Sequence, residues 1–372
     1  MTIPILPIGP RFGTFFFPGP TEVRPEILEA MQKKMIPHRG AEFEALFARI
    51  EAGLRDVFLT GRPVFVSTSS ASGLMEAAIL NAPVGAILSL VNGSFSERFA
   101  RIAMACGREV ETITVAPGKT FQLADVEARL AAKKFSAVTV VHSESSTGVL
   151  TDVRAMTELA HRFGAMCLVD SVTGIAAAPL QFDAWEMDFV LTGSQKALAL
   201  PPGLAFAAAS SAYVEGAKSV PNRGSYFDVV EFEAFAHKNQ TPNTPAVSLL
   251  YALDAQLADI GREGIERRWE RHEAMRAATE RWVYRCADRL GIPLMHVAPE
   301  GARSPTVTAI HLPKDVRSSD LVKAVAGRGY VIGGGYGPLK DTTFRIGHMG
   351  DHTLDGLAGC LEACEKSLRS LS

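Results

Sequence analysis

The chain has 372 residues, 47% of them hydrophobic and 21% charged, which is enough apolar material for a large core and two domains. Its formal net charge of −2 provides no basic surface for nucleic acid or for an anionic membrane. No apolar stretch approaches the roughly 20 residues of a bilayer span, the N-terminus lacks a signal-peptide pattern, and the five scattered cysteines predict a cytoplasmic protein without a metal site.

Strand and helix patterns alternate from about residue 64 to residue 210. The predicted strands are 64–67, 86–91, 110–115, 137–142, 166–170, 189–191 and 204–209, and the predicted helices between them are 73–80, 94–106, 123–132 and 153–163. This alternation is typical of βαβ units and predicts a mostly parallel, doubly wound sheet. Ligand sites in such sheets gather beyond the carboxyl ends of the strands.

The first strand of this region leads into a loop rich in small hydroxyl residues. The loop Ser67-Thr-Ser-Ser-Ala-Ser-Gly73 stands between a strand and a helix. Backbone N–H groups at such a helix start, with hydroxyl groups beside them, suit a phosphate. Ordinary helix capping is the structural alternative for the same loop.

Two charged residues end successive apolar strands. Asp170 closes the run Met166-Cys-Leu-Val-Asp170, and Lys196 follows the run Phe189-Val-Leu191. Desolvation at such a place lowers the pKa of an amine and makes it nucleophilic. An acid and a lysine so arranged suit pyridoxal phosphate (PLP), because the carboxylate keeps the pyridine nitrogen protonated and the amine bonds to the cofactor's aldehyde. A helix cap for Asp170 and a surface-reaching Lys196 are the structural alternatives.

A long charged amphipathic helix, 264–288, leads into the C-terminal region. The strands predicted there are 306–312, 331–333 and 343–349, and the helices are 318–327 and 354–368. The pattern predicts a smaller α+β domain with partly antiparallel strands. Arg345 stands between two apolar residues on the last strand, where its planar guanidinium suits a substrate carboxylate. A structural salt bridge is the alternative.

Several motifs, in order along nearly the whole chain, resemble those of one family. They are Phe17-Pro-Gly-Pro-Thr21, Pro37-His-Arg39, Leu168-Val-Asp-Ser-Val-Thr-Gly174, Gly193-Ser-Gln-Lys-Ala197, Pro201-Pro-Gly203 and Phe344-Arg-Ile-Gly-His348. The set resembles the fold-type I, class V aminotransferases, and within them the serine–pyruvate/alanine–glyoxylate branch. The resemblance implies the α/β fold of PLP-dependent transferases. We place a large PLP-binding domain with an N-terminal arm at 1–262 and a small domain, including the long linking helix, at 263–372.

The resemblance also implies roles for individual residues. Lys196 and Asp170 would be the catalytic pair, with Lys196 carrying the cofactor. Further cofactor contacts are implied for Ser70, Ala71, Ser72, Phe95, Ser145, Val172 and Gln195, and substrate contacts for Arg345, Ser145 and Gly19.

Two of these motifs depart from the family pattern. Phe95 stands where the alanine–glyoxylate branch usually has tryptophan, although phenylalanine still offers a flat face to the pyridine ring. On helical periodicity alone, Phe95 fits a core position equally well. In His142-Ser-Glu-Ser-Ser-Thr-Gly148, Ser143 replaces a glycine. We interpret Glu144 in this motif as a structural acid.

The segment Lys238-Asn-Gln-Thr-Pro-Asn-Thr-Pro245 is polar and broken by proline. In relatives this loop reaches the neighbouring subunit's site and contacts the phosphate. The resemblance therefore implies a homodimer with shared active sites, in which Thr241 and Thr244 contact the cofactor. Thr241 stands where some relatives have tyrosine, so its contact is the less secure of the two.

The expected activity is transamination from a small amino acid, alanine or serine, to a small 2-oxo acid, glyoxylate or pyruvate. Transaminases of 2-aminoethylphosphonate or ureidoglycine, and PLP lyases or epimerases, share the scaffold and remain alternatives. A cysteine desulfurase would carry a cysteine shortly before Arg345, but residues 287–359 contain none. A binding protein that had lost its activity would be expected to lack Lys196 or Asp170.

Overall fold

The computed structural model describes residues 12–371. In chain order, its strands are β1 (Phe15–Phe16), β2 (Val64–Ser67), β3 (Ile87–Val91), β4 (Val110–Thr114), β5 (Ala137–Val141), β6 (Ser143–Glu144), β7 (Val149–Leu150), β8 (Met166–Asp170), β9 (Phe189–Gly193), β10 (Ala205–Ala209), β11 (Met295–His296), β12 (Val307–His311), β13 (Val331–Gly334) and β14 (Thr343–Gly347). Its helices are α1 (Pro25–Ala30), α2 (Ala41–Phe58), α3 (Ala71–Leu80), α4 (Ser94–Ala105), α5 (Leu123–Ala132), α6 (Val153–Arg162), α7 (Ser211–Ala217), α8 (Val229–Ala236), α9 (Val247–Glu263), α10 (Ile265–Leu290), α11 (Ser318–Ala326) and α12 (Leu354–Leu371).

A seven-stranded sheet with the order β2-β10-β9-β8-β5-β3-β4 forms the centre of the larger part. Five of its strands, β3, β4, β5, β8 and β9, run parallel. β10 runs antiparallel to both of its neighbours. The predicted α/β fold with a mostly parallel, doubly wound sheet is confirmed.

Helices cover both faces of this sheet, which explains its continuous apolar strands. Successive residues of a strand point to opposite faces, and the core divides accordingly. Val190 belongs to an apolar cluster with α2 and α9. Its neighbours Phe189 and Leu191 belong to a second cluster with α3 and α4. The functional loops therefore project from a sheet whose position is set by packing on both sides.

A second sheet, β1-β13-β14-β12-β11, lies in the C-terminal part. Its strands β11 to β14 pair antiparallel, and α10, α11 and α12 share an apolar cluster with it. This agrees with the α+β unit predicted there. The start of the described chain also joins this sheet, because Phe15 and Phe16 pair parallel with β13. The division at residues 262 and 263 stays a prediction.

A buried ion-pair cluster connects the N-terminal arm, the linking helix and the end of the second sheet. Asp351 binds Arg24 Nε at 2.7 Å and Arg268 Nη2 at 2.8 Å. The Arg268 side chain is 2% exposed, and its Nη2 also donates to the carbonyl of Ala197 at 2.7 Å. The cluster therefore ends next to Lys196, and it fixes the turn that carries this residue.

In residues 12–371 we find no helix with the length and apolarity of a membrane span. The same residues contain no group of three or more His, Cys, Asp or Glu side chains arranged to hold a metal ion.

Candidate active site

The loops that follow β2, β8 and β9 meet the first turns of α4 around a cavity of about 240 Å³. Eight of the residues predicted for the cofactor line this cavity: Ser70, Ala71, Ser72, Phe95, Asp170, Val172, Gln195 and Lys196. They come from widely separated segments and meet because parallel strands end at the same edge of a sheet.

Lys196 is buried, with 7% of its surface exposed. Its Nζ donates a hydrogen bond to the carbonyl of Pro18 and lies 5.9 Å from the centre of the Phe95 ring. Burial lowers the pKa of this amine, the Arg345 guanidinium adds to that shift and Asp170 opposes it, and the resulting pKa is about 8. A large share of the amine is therefore neutral, and hence nucleophilic, near pH 8.

The N-terminal arm lies directly against the Lys196 amine. Gly19 has a φ of +115°, and a Cβ placed on it would collide with the Lys196 side chain. The backbone N–H of Thr21 donates to the carbonyl of Gln195 at 2.9 Å. The arm can follow this path only because residue 19 is glycine. Gly19 therefore lies directly beside the Lys196 Nζ atom.

Asp170 lies at the end of β8 with its carboxylate in the same cavity. Its Oδ1 accepts a hydrogen bond from the N–H of Val172 at 2.8 Å. Burial raises the pKa of this carboxyl to about 7, while Lys196 and Arg98 act in the opposite direction. A cationic partner in the cavity would lower this pKa and favour the ionised carboxylate.

The helix α3 opens the cavity with its N-terminus. It begins at Ala71, two residues earlier than the pattern predicted, and Ser70 precedes it in an extended conformation. The Ser70 side chain makes no capping hydrogen bond. The N–H of Gly73 donates to the Ser70 carbonyl at 2.9 Å, whereas the N–H groups of Ala71 and Ser72 remain available to an anion. Ordinary capping by the Ser70 side chain is not observed.

Phe95 lies in the first turn of α4, and Glu144 holds that turn in place. The Glu144 carboxylate accepts hydrogen bonds from the N–H groups of Phe95 at 3.1 Å and Ser96 at 2.9 Å. It also accepts from the Ser146 hydroxyl at 2.6 Å. These bonds give Glu144 the structural role expected from the sequence, since a carboxylate at a helix start stabilises the helix.

Arg345 lies on β14 and is buried. Its Nε donates to the carbonyl of Gly334 at 2.8 Å, and its Nη1 donates to the carbonyl of Ser145 at 3.0 Å. Burial lowers the pKa of this guanidinium to about 10. Within residues 12–371 no carboxylate forms a salt bridge with Arg345, so the structural ion pair considered as an alternative is not observed there.

Three of the residues predicted to contact the cofactor do not line the cavity. Ser145 is buried, and its carbonyl binds Arg345, whereas the neighbouring Ser143 lines the cavity instead. Thr241 donates to the carbonyl of Asn243 at 2.7 Å. Thr244 is exposed and lies near the start of the phosphate loop. Cofactor contacts of Ser145, Thr241 and Thr244 stay predictions.

Sequence reasoning missed Arg98 and Tyr336. Arg98 lines the cavity, and its guanidinium lies 5.1 Å from the centre of the Phe95 ring. Residues three apart on a helix share a face, so the spacing from Phe95 to Arg98 is a signal that could have revealed it.

The donor set fits PLP. An uncapped helix start suits the phosphate, the Asp170 carboxylate suits a protonated ring nitrogen, and the Lys196 amine suits an aldehyde. The Phe95 ring provides a flat face in the same cavity.

Comparisons with known proteins decide the family. The Aminotransferase class-V family model matches residues 15–337. The chain belongs to this family. It is 32% identical to an alanine–glyoxylate aminotransferase of Rattus norvegicus, over 94% of this chain and 88% of the relative. It is 31% identical to a serine–glyoxylate aminotransferase of Methylorubrum extorquens, over 95% and 90% of the two chains. A crystal structure of an alanine–glyoxylate aminotransferase from Nostoc sp. matches with a TM-score of 0.89 at 28% identity, covering 99% of this chain and 98% of that one.

The protein is therefore a PLP-dependent aminotransferase, and its active site is expected at the carboxyl edge of the large sheet. The roles of single residues in this aminotransferase remain predictions that experiments can test.

We predict that the Lys196 amine of the cofactor-free aminotransferase titrates near pH 8. Competitive labelling with acetic anhydride, followed by peptide mass spectrometry, measures the fraction of neutral amine at each pH. Arg345→Met removes a nearby cation and should move the midpoint to higher pH. Asp170→Asn removes a nearby anion and should move it to lower pH.

Lys218 serves as the internal control, because its hydrogen bond to Glu215 raises the pKa of that amine above the ordinary 10.5. A Lys196 midpoint at or above 10.5, or shifts of the same sign in both variants, would contradict the electrostatic account of the site.

Proposed function

We propose that this aminotransferase moves the amino group of alanine or serine to glyoxylate or pyruvate. The observation that carries the proposal is the buried Arg345 guanidinium, which has neutral carbonyl partners and lies close enough to the Lys196 amine to lower its pKa. A carboxylate matches the planar fork of such a guanidinium. The activities named for the rat, Methylorubrum and Nostoc relatives support small substrates.

The cofactor, when bound, supplies an aldehyde for the amine and a ring that takes up electrons from the substrate's α-carbon. Arg345 would bind the substrate carboxylate and so orient the α-carbon toward Lys196. In its neutral form, Lys196 Nζ can accept the proton that leaves this carbon. Asp170 would hold a proton at the pyridine nitrogen, and Ser70 to Ser72 with Gln195 would hold the phosphate.

The surroundings of Arg345 favour donors with one carboxylate. Arg98, the second arginine, shares its cavity with the residues of the phosphate loop, and we assign it to the cofactor side of the site. Arg39 is exposed and donates to the carbonyl of Pro242 at 3.1 Å, away from the cavity. We therefore assign neither arginine to a distal carboxylate of the substrate.

A panel of donors and acceptors tests this function. With the purified holoenzyme, alanine or serine alone should bleach the visible absorbance, and glyoxylate or pyruvate should restore it. The panel includes aspartate, 2-aminoethylphosphonate and ureidoglycine. A clear preference for one of these donors, or elimination without amino transfer, would overturn the proposal.

Arg345→Ala should lower kcat/KM for alanine at least tenfold, which corresponds to about 1.4 kcal/mol of transition-state binding. Arg285→Ala provides a matched control, since Arg285 is exposed on α10 and lies outside the site. Its kcat/KM should equal that of the wild type. A smaller loss at Arg345 would show that this residue does not bind the carboxylate.

We also propose a homodimer in which Thr244 of one subunit completes the phosphate site of the other. The exposure of Thr244 and its absence from the cavity of its own chain support this arrangement. The loop that carries Thr244 is polar, and most of its residues keep some contact with solvent, as an intersubunit contact near a charged ligand would require.

Complementation tests this dimer. Lys196→Ala and Thr244→Asp homodimers should each have little activity, the second because a carboxylate repels the phosphate. The two variants are mixed and refolded to form mixed dimers. Each mixed dimer contains one site in which both Lys196 and Thr244 are wild type, so its activity should approach half of that of the wild-type dimer. No recovery, with mixed dimers verified by mass spectrometry, would place Thr244 outside the partner's site.

A further inference from the structure

Tyr336 lies where three parts of the structure meet. Its ring stacks on Phe95 with the ring centres 5.5 Å apart and an angle of 18° between the planes. The Arg345 guanidinium lies 5.4 Å from the centre of the same ring. Tyr336 therefore contacts both the aromatic wall of the cofactor cavity and the arginine assigned to the substrate carboxylate.

Tyr336 also borders a second cavity of about 430 Å³. Its lining is mostly apolar and includes Val91, Ala100, Met104, Val115, Pro117 and Leu339. Tyr336 lines this cavity, while Phe95 lines the cofactor cavity. The tyrosine ring thus stands between the substrate position and an apolar space that the proposed reaction does not use.

The loop that carries Tyr336 is held by close packing. A Cβ on Gly335 would collide with the carbonyl of Leu339, and a Cβ on Gly337, which has a φ of +55°, would come within 2.5 Å of the Ser94 hydroxyl. The carbonyl of Gly334 accepts the hydrogen bond from Arg345 Nε. These contacts fix the ring as a wall, although 38% of the tyrosine surface is exposed.

We infer that Tyr336 determines the size of the amino donor by closing the substrate site off from the second cavity. The inference rests on the proposed function, because it takes Arg345 as the carboxylate-binding residue. A substrate held by Arg345 directs its side chain past the tyrosine ring, and only short side chains fit. Without the ring, the apolar cavity would accept straight aliphatic side chains such as those of norvaline and methionine.

Steady-state kinetics of the holoenzyme test this inference through the ratio of kcat/KM for norvaline to that for alanine. An apolar pocket gains roughly tenfold or more from each added methylene, so Tyr336→Ala should raise the ratio at least tenfold. Tyr336→Phe keeps the ring and should leave the ratio unchanged. The rates of the wild-type enzyme with alanine and serine test the proposed function separately. The change in the norvaline-to-alanine ratio does not depend on which donor is the natural one.

A second substitution identifies the space that is opened. Met104 lines the second cavity and is exposed on α4, so Met104→Trp should fill the cavity without disturbing the core. In the Tyr336→Ala background it should return the ratio toward the wild-type value. An equal loss for both donors in Tyr336→Ala would overturn the inference, because the residue would then only position Arg345. If Tyr336→Ala raises the ratio and the added Met104→Trp does not lower it, the second cavity is not the space that accepts the longer side chain, and the inference is overturned.

Discussion

The burial of the Lys196 amine without an ion-pair partner among residues 12–371 is the interaction on which the site depends. A buried ammonium group without a counter-ion is disfavoured, so the fold lowers the pKa of this amine to about 8 and makes its neutral, reactive form accessible. The Pro18 carbonyl accepts its hydrogen bond, and Gly19 leaves room for it. The N-terminal arm therefore forms part of the surroundings of this amine, as the large sheet does.

The residues of the candidate site come from both sheets. The large sheet supplies Lys196 and Asp170 at the ends of β9 and β8, whereas the second sheet supplies Arg345 on β14. The Asp351 cluster connects these parts, since Arg268 binds both Asp351 and the carbonyl of Ala197, next to Lys196. The relative position of the two sheets thus sets where Arg345 and Tyr336 lie with respect to the Lys196 amine.

The strand ends could be predicted because buried parallel strands are continuous apolar runs, and charged residues directly after such runs are conspicuous. Lys196 and Asp170 were found in this way, and the structure places both in one cavity. Tyr336 could not be found, because its neighbours Phe95 and Arg345 are distant in sequence and meet only after the second sheet packs on the first. The contact assigned to Thr244 involves a second subunit, and no pattern within one chain can place it. The motif that contains Ser145 could be recognised from the sequence. The motif alone does not show which of its serines faces the cavity, and in the structure it is Ser143.

The central claim is that Lys196 is the residue that bonds covalently to PLP, and borohydride reduction tests it most directly. The holoenzyme is reduced, digested and mapped by mass spectrometry for a phosphopyridoxyl group. We expect the modification on the peptide that contains Lys196, with Lys196→Ala giving no modified peptide. A phosphopyridoxyl group on a different lysine of the wild-type enzyme would contradict the account.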